Sequence, residues 1–194
     1  MNPENRQICF ELQQQFESLS KTDSYFIDET SHTSKEQKIK NILSEKTKNL
    51  SASQSERILQ EFEGFGPIYE LMKDEDITEI LVNSENAIWF EKKGQLLQHN
   101  DSYFSSITYR NCIEHMCVLA KKNLTLENPF VDGHMAEFRL SLASSEVTQN
   151  SHSFCLRRHP KNPWNFQKLI ETGWCSQNDF LNLKSIFDLK KNFE

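Results

Sequence analysis

One short stretch of the chain gathers cationic side chains that could bind an anion: Arg157, Arg158, His159 and Lys161 lie almost side by side. A guanidinium stays charged at neutral pH and presents a planar fork of donors that matches a phosphate group. The whole chain carries a net charge of −6, so it lacks the broad positive surface of a nucleic-acid-binding protein. The sequence therefore allows a local anion site, and we expect no nucleic-acid partner.

The other reactive side chains form no catalytic or metal-binding pattern. The five cysteines are an odd number, are scattered and contain no C-x-x-C pair, which favours free thiols in a cytosolic protein. His115 and Cys117 lie two positions apart on a predicted helix and would point to different sides, so we expect no metal site there. A G-x-x-x-x-G-K-[ST] phosphate loop is also absent. The chain alone is therefore predicted not to hydrolyse ATP.

Alternating apolar and polar residues predict the strands that would position these arginines. The predicted strands lie around a turn at 83–86, on both sides of a turn at Asp132-Gly133, and over 153–158. Ile113, Met116, Cys117 and Ala120 recur at the spacing of one helix face, which predicts a helix over 103–123 packed on the sheet. We therefore expect an α/β (α+β) domain.

We expect the 194 residues to form three parts. The parts are an N-terminal helical arm at 1–63 with a polar linker at 21–35, the α/β domain at 64–159, and a linker with helices at 160–194. Within the arm we expect helices over 3–20 and 38–50, and a third helix capped by Ser53 or Ser55. No apolar run approaches the ~20 residues of a membrane span and no signal peptide follows Met1, so a cytosolic location is expected.

Five segments of the chain match, in order, the motifs of one family. They are Gly64–Leu71 (GFGPIYEL), Asp76–Asn83 (DITEILVN), Ile88–Leu96 (IWFEKKGQL), Asn128–Asp132 (NPFVD) and Cys155–Arg158 (CLRR). On these segments the chain resembles the N-terminal domain of the type II/IV secretion-system traffic ATPases, and most closely the pilus-assembly, tight-adherence (CpaF-like) branch. The second and third segments are the most specific.

The resemblance implies a PAS-like domain that sits above a P-loop motor domain in a ring, usually a hexamer. ATP and magnesium would lie in the cleft between the two domains, and neither is expected for this chain alone, which stops where the motor would begin. We expect the chain to be a fragment of such an ATPase. Its expected partners are its own motor domain, neighbouring subunits and an inner-membrane platform protein. Its expected location is the cytoplasmic face of the inner membrane.

The resemblance also assigns roles to three arginines. Arg157, with Arg158 beside it, matches the arginine on the family's strand before the linker, and Arg139 matches the one on the preceding strand. These side chains would reach the phosphates of ATP. The alternative from periodicity alone is that each arginine decorates the solvent side of a strand.

The chain departs from the family pattern before Arg139. The family reads D-A-R-L-P-D-G-S-R, whereas this chain reads D-G-H-M-A-E-F-R over 132–139. His134 thus stands at the family's first arginine and the turn is shortened, which implies a different turn and one weakened phosphate contact. Two other functions stay open: a motor-less adaptor that docks onto a secretion ATPase or its membrane platform, and a PAS-like sensor.

Overall fold

A computed structural model describes residues 1–22, 29–148, 151–159 and 165–188. Two compact units are present, Met1–His159 and Pro160–Glu194. In the first unit the helices are α1 (Pro3–Thr22), α2 (Glu29–Thr47), α3 (Ala52–Glu63), α4 (Tyr69–Lys73), α5 (Ser106–Leu119) and α6 (Ser145–Thr148), and the strands are β1 (Ile77–Ser84), β2 (Ala87–Lys92), β3 (Gln95–Gln98), β4 (Phe130–Met135), β5 (Phe138–Ala143) and β6 (Ser153–Arg158). In the second unit the helices are α7 (Phe166–Glu171) and α8 (Gln177–Asp188).

The strands form one sheet in the order β3-β2-β1-β6-β5-β4, and every neighbouring pair is antiparallel. The inward face follows the predicted alternation: Ile80, Leu156 and Leu140 are register partners across β1, β6 and β5 and are fully buried. Ile113 and Met116 of α5 belong to the same hydrophobic core, which confirms the predicted helix face. The protein is therefore a mixed α+β fold with an antiparallel sheet, as the sequence predicted.

The turn between β4 and β5 lies at Ala136 and Glu137, so the turn predicted at Asp132-Gly133 is wrong. Asp-Gly is a favoured turn pair, but here both residues lie inside β4. Gly133 leaves room for a neighbouring residue, because a Cβ at this position would lie only 3.0 Å from the Cβ of Ala120 after α5. Ala136, with a φ of 47°, takes the left-handed turn position instead.

The N-terminal helices have a hydrophobic cluster of their own. Its fully packed members are Cys9 and Leu12 of α1, Leu43 of α2 and Ile58 of α3. Helix α2 begins at Glu29, within the stretch predicted as a polar linker at 21–35; residues 23–28 of that stretch lie outside the described part of the chain. Ser51 caps α3 in a reciprocal pair with Gln54, so the cap predicted at Ser53 or Ser55 is wrong.

A paired cluster of charges joins α3 to the segment before α5. Arg57 donates to Glu61 at 2.6 Å, to Asp101 at 2.7 Å and to the carbonyl of Ser102 at 2.9 Å. The side chain of Glu61 is fully buried and also accepts the backbone N–H of Phe104 at 2.7 Å. We call Arg57, Glu61 and Asp101 the buried charge cluster.

The second unit was predicted as a connector with two helices. Ser176 and Asp179 cap α8 through reciprocal hydrogen bonds, as the capping box predicted. The rings of Phe166 and Phe180 pack with centroids 4.7 Å apart and bring α7 against α8. No helix in the described ranges is both long and apolar enough to cross a membrane.

Candidate functional site

The outward face of the sheet carries a row of charged side chains at matching positions of neighbouring strands. From β2 to β5 the register partners are Glu91, Glu79, Arg157 and Arg139, and we call these four residues the charged row. Leu96 of β3 and His134 of β4 extend it at the two ends. Register partners share a face of a sheet, so all of these side chains project to the same side, which we call the open face.

Arg139 and Arg157 lie directly opposite each other on β5 and β6. Both are exposed, and the Arg139 side chain retains 57% of its accessible surface. Arg139 reaches only Asp132, at a long 3.9 Å, and Arg157 forms no hydrogen bond or ion pair with any described residue. Two like charges at directly opposed positions repel each other. An anion held between them would relieve this repulsion.

Arg158 points away from the open face and is engaged inside the protein. It donates to the carbonyls of Met72 at 2.7 Å, Ile77 at 3.0 Å and Asp74 at 3.1 Å, and it pairs with Glu137. Its guanidinium also lies 4.4 Å from the centre of the Phe138 ring. The structure therefore does not bring Arg158 together with Arg157 and Arg139, although the sequence grouped all three.

Two histidines lie beside the arginine end of the charged row. His134 Nδ1 is 3.3 Å from His159 Nε2, and the two exposed rings are stacked with centroids 5.4 Å apart. His134 is the register partner of Arg139, so it lies where the family pattern has its further arginine. A neutral imidazole can accept or donate a hydrogen bond at this position, but it cannot replace the fixed charge of a guanidinium.

A depression of about 450 Å3 opens next to this end of the row. Its lining includes Lys122, His134, Arg139 and Gly133, together with Ala120 and Asp132. Gly133 contributes no side chain, so the backbone of β4 forms part of the surface. The volume is within the range of small-molecule sites, and two of the lining side chains carry a permanent positive charge.

A thiol donates a hydrogen bond to a glutamate at the carboxylate end of the charged row. Cys155 Sγ donates to Glu79 at 3.1 Å. Burial, followed by the hydrogen bond and the charge of Glu79, raises the pKa of Cys155 to about 12. The thiol therefore stays protonated at neutral pH and serves as a donor rather than as a nucleophile.

Sequence reasoning overlooked Glu79 and Glu91 as members of the same surface as the arginines. Both lie in the two most specific motif segments, and alternation already placed Glu91 opposite the inward residues of its strand. The alternation within each strand does not show which strands are neighbours. It therefore could not show that β1 pairs with β6, which brings Glu79 into register with Arg157. Among the described residues, no group of three or more His, Cys, Asp or Glu could hold a metal ion.

No family model matches the chain, and no curated protein matches it. Among solved structures, the chain is similar to the VirB11 ATPase from the Brucella suis type IV secretion system, crystallised in complex with sulphate. The identity is 12%, the TM-score is 0.48, and the match covers 64% of this chain and 41% of the length of that ATPase. A similarity of this extent does not place the chain in a family.

Proposed function

We propose that this chain is the N-terminal domain of a secretion or pilus-assembly ATPase, and that Arg157 and Arg139 contact the phosphates of ATP. The observation that carries the proposal is the register pairing of these two exposed arginines on the open face. Arg157 has no ion pair with a described residue, and Arg139 has only the 3.9 Å contact with Asp132. Motif segments that resemble this family contain Arg157, Glu79 and Glu91. A phosphate group between two guanidiniums would accept charge-assisted hydrogen bonds from both.

The proposal also fixes which residues are left out of the site. Arg158 already satisfies three backbone carbonyls and Glu137, so it positions β6 rather than binding the nucleotide. Lys122 lines the depression next to Arg139 and is a further phosphate contact in this proposal. The chain would supply one wall of the ATP cleft, and a motor domain would supply the phosphate loop and the magnesium ligands.

The wider context belongs to the same proposal. The divisions at residues 64 and 160, the ring of subunits, the membrane platform partner and the tight-adherence branch remain predictions from the motif resemblance. So does the location at the cytoplasmic face of the inner membrane. The adaptor and the sensor stay open as alternatives, because no observation favours either one separately.

NMR titration of the chain with ATP tests the phosphate contact. Because the arginines supply only one wall of the site, we expect weak binding, with a Kd of about 1 mM. Signals of Arg139 and Arg157 should shift most, and ATP should shift them more than AMP does. Arg157→Ala and Arg139→Ala should remove most of this response, whereas Arg110→Ala, an exposed arginine on α5, should not. An unchanged response in both row variants, or the absence of any response, would overturn the proposal.

A further inference from the structure

The acidic half of the charged row has no role in the proposed phosphate contact. Glu79 and Glu91 are register partners, and neither forms an ion pair with any described residue. The row thus contains two like-charged pairs, Glu79 with Glu91 and Arg139 with Arg157, and one oppositely charged pair, Glu79 with Arg157. Like charges directly opposite each other destabilise a sheet. If glutamates and arginines alternated across the four strands, every charge would lie opposite a charge of the other sign within the chain. The observed order has both glutamates on one side and both arginines on the other, and it is less favourable for the isolated sheet.

We propose that the open face packs against the open face of a second copy of this chain. A two-fold axis parallel to the strands and between the two sheets places β1 opposite the second copy's β6, and β2 opposite its β5. Glu79 then faces Arg157 of the second copy, and Glu91 faces Arg139. Because the interface is isologous, each of these pairs forms twice. The order of charges that is unfavourable within one sheet thus becomes complementary between the two packed sheets.

The neighbouring row of the open face fits the same arrangement. Its register partners, from β2 to β5, are Trp89, Leu81, Cys155 and Ser141, of which the first three are half-buried. The same axis places Leu81 opposite Cys155 and Trp89 opposite Ser141. The strand directions of two packed sheets differ by about 30° or less, so residues close to the axis stay opposite their partners in the second copy. An apolar strip would therefore lie beside the ion pairs.

The size of the open face sets the strength of this association. Six strands at a spacing of ~4.8 Å and about 20 Å long give on the order of 500 Å2 per copy. The total, on the order of 1,000 Å2, lies at the small end of specific interfaces. The dimer is therefore weak and reversible, and rising salt concentration weakens it further because charge pairs contribute to it. Association does not require nucleotide. ATP held by Arg157 and Arg139 would compete with it, because the dimer uses the same two arginines, so the two proposals are tested separately, with and without nucleotide.

Sedimentation velocity of charge-reversed variants, without nucleotide, tests the arrangement. Arg157→Glu alone places carboxylates opposite Glu79 in both symmetric contacts, and Glu79→Arg alone places guanidiniums opposite Arg157. Each variant should raise the dimer Kd by about tenfold or more. An equimolar mixture of the two variants should restore association, because a heterodimer pairs opposite charges at both contacts. Adjacency of the two residues within one chain cannot produce this restoration.

A matched charge pair on another surface is the control. Arg110→Glu and Glu114→Arg alter exposed residues of α5 and should leave the dimer Kd of the wild-type chain unchanged. Thermal unfolding of each variant shows whether a loss of association reflects a loss of fold. A wild-type chain that stays monomeric at the highest attainable concentration would overturn the proposal. So would folded single variants that associate as wild type does, or a mixture that associates no better than its components.

Discussion

The buried charge cluster and the charged row use the same residue types in opposite ways. In the cluster, Arg57 is 14% exposed and contacts two carboxylates at hydrogen-bonding distance. In the row, Arg157 is exposed and contacts none among the described residues. Burying a charge is costly unless it is paired, so the cluster must satisfy itself within the fold. The row is under no such constraint, which leaves its charges available for an external partner.

The electrostatics of the cluster follow from this pairing. Burial alone would lower the pKa of Arg57, but the charges of Glu61 and Asp101 outweigh it and the pKa is raised. Burial likewise would raise the pKa of Asp101, yet hydrogen bonding and attraction from Arg57, together with the Met1 amino group, hold it below its usual range. Both groups are therefore charged over the whole neutral range and stabilise the docking of α3.

Arg157 and Arg158 show the same contrast between two consecutive residues. Alternation along β6 directs Arg157 to the open face and Arg158 to the other side, where it donates to the carbonyls of Asp74, before β1, and of Ile77, the first residue of β1. The two residues are identical in the sequence, but among the described residues the hydrogen bonds of Arg158 are made within the fold, whereas those of Arg157 are not. Substitutions should therefore lower stability at side chains that are paired within the fold and lower ligand binding at side chains of the charged row.

The largest expected effect is at Glu61. Glu61→Ala leaves Arg57 with one carboxylate fewer and leaves the backbone N–H of Phe104 without its acceptor. Breaking a buried pair in this way costs about 3–5 kcal/mol. Urea unfolding measures the loss, and Glu91→Ala in the charged row is the control that should leave stability nearly unchanged. Similar losses in the two variants would remove the distinction between cluster and row.

A somewhat smaller loss is expected at Arg158. Arg158→Ala leaves three carbonyl acceptors and Glu137 without their donor and removes the contact with Phe138. The free energy of unfolding should fall by about 2–3 kcal/mol. Arg157→Ala, its neighbour on the open face, should unfold close to the wild-type urea concentration, because the substitution removes both the repulsion with Arg139 and the attraction to Glu79. Equal destabilisation by the two variants would contradict their assignment to different faces.

The smallest effect concerns pH and Asp101. Because its pKa is lower in the folded chain than the value of about 3.9 in an unfolded chain, its contribution to stability is complete above that value. The contribution is lost as the pH falls through the lowered pKa. Asp101→Asn should therefore flatten the loss of stability below a pH of about 4, whereas Glu127→Gln, at an exposed carboxylate, should not. Acid unfolding curves that are parallel in all three proteins would contradict this account.

The sequence predicted the elements of the sheet better than their arrangement. Alternation in Ile88–Lys92 and in Ser153–Arg158 is a local property, so the faces of β2 and β6 could be predicted. The turn at Asp132-Gly133 was predicted wrongly: both residues lie inside β4, and the close packing of Ala120 against Gly133 is a non-local contact that the local sequence pattern does not show. The charged row could not be predicted either, because it depends on β1 lying beside β6.

The central claim is that Arg157 is available to a ligand and contributes little to the stability of the fold. It is tested most directly by measuring ATP affinity and urea unfolding on the same samples of wild type, Arg157→Ala and Arg110→Ala. The account predicts that Arg157→Ala binds ATP about tenfold more weakly with wild-type stability, and that Arg110→Ala changes neither quantity. Wild-type affinity in Arg157→Ala, or a loss of affinity that accompanies unfolding, would contradict it.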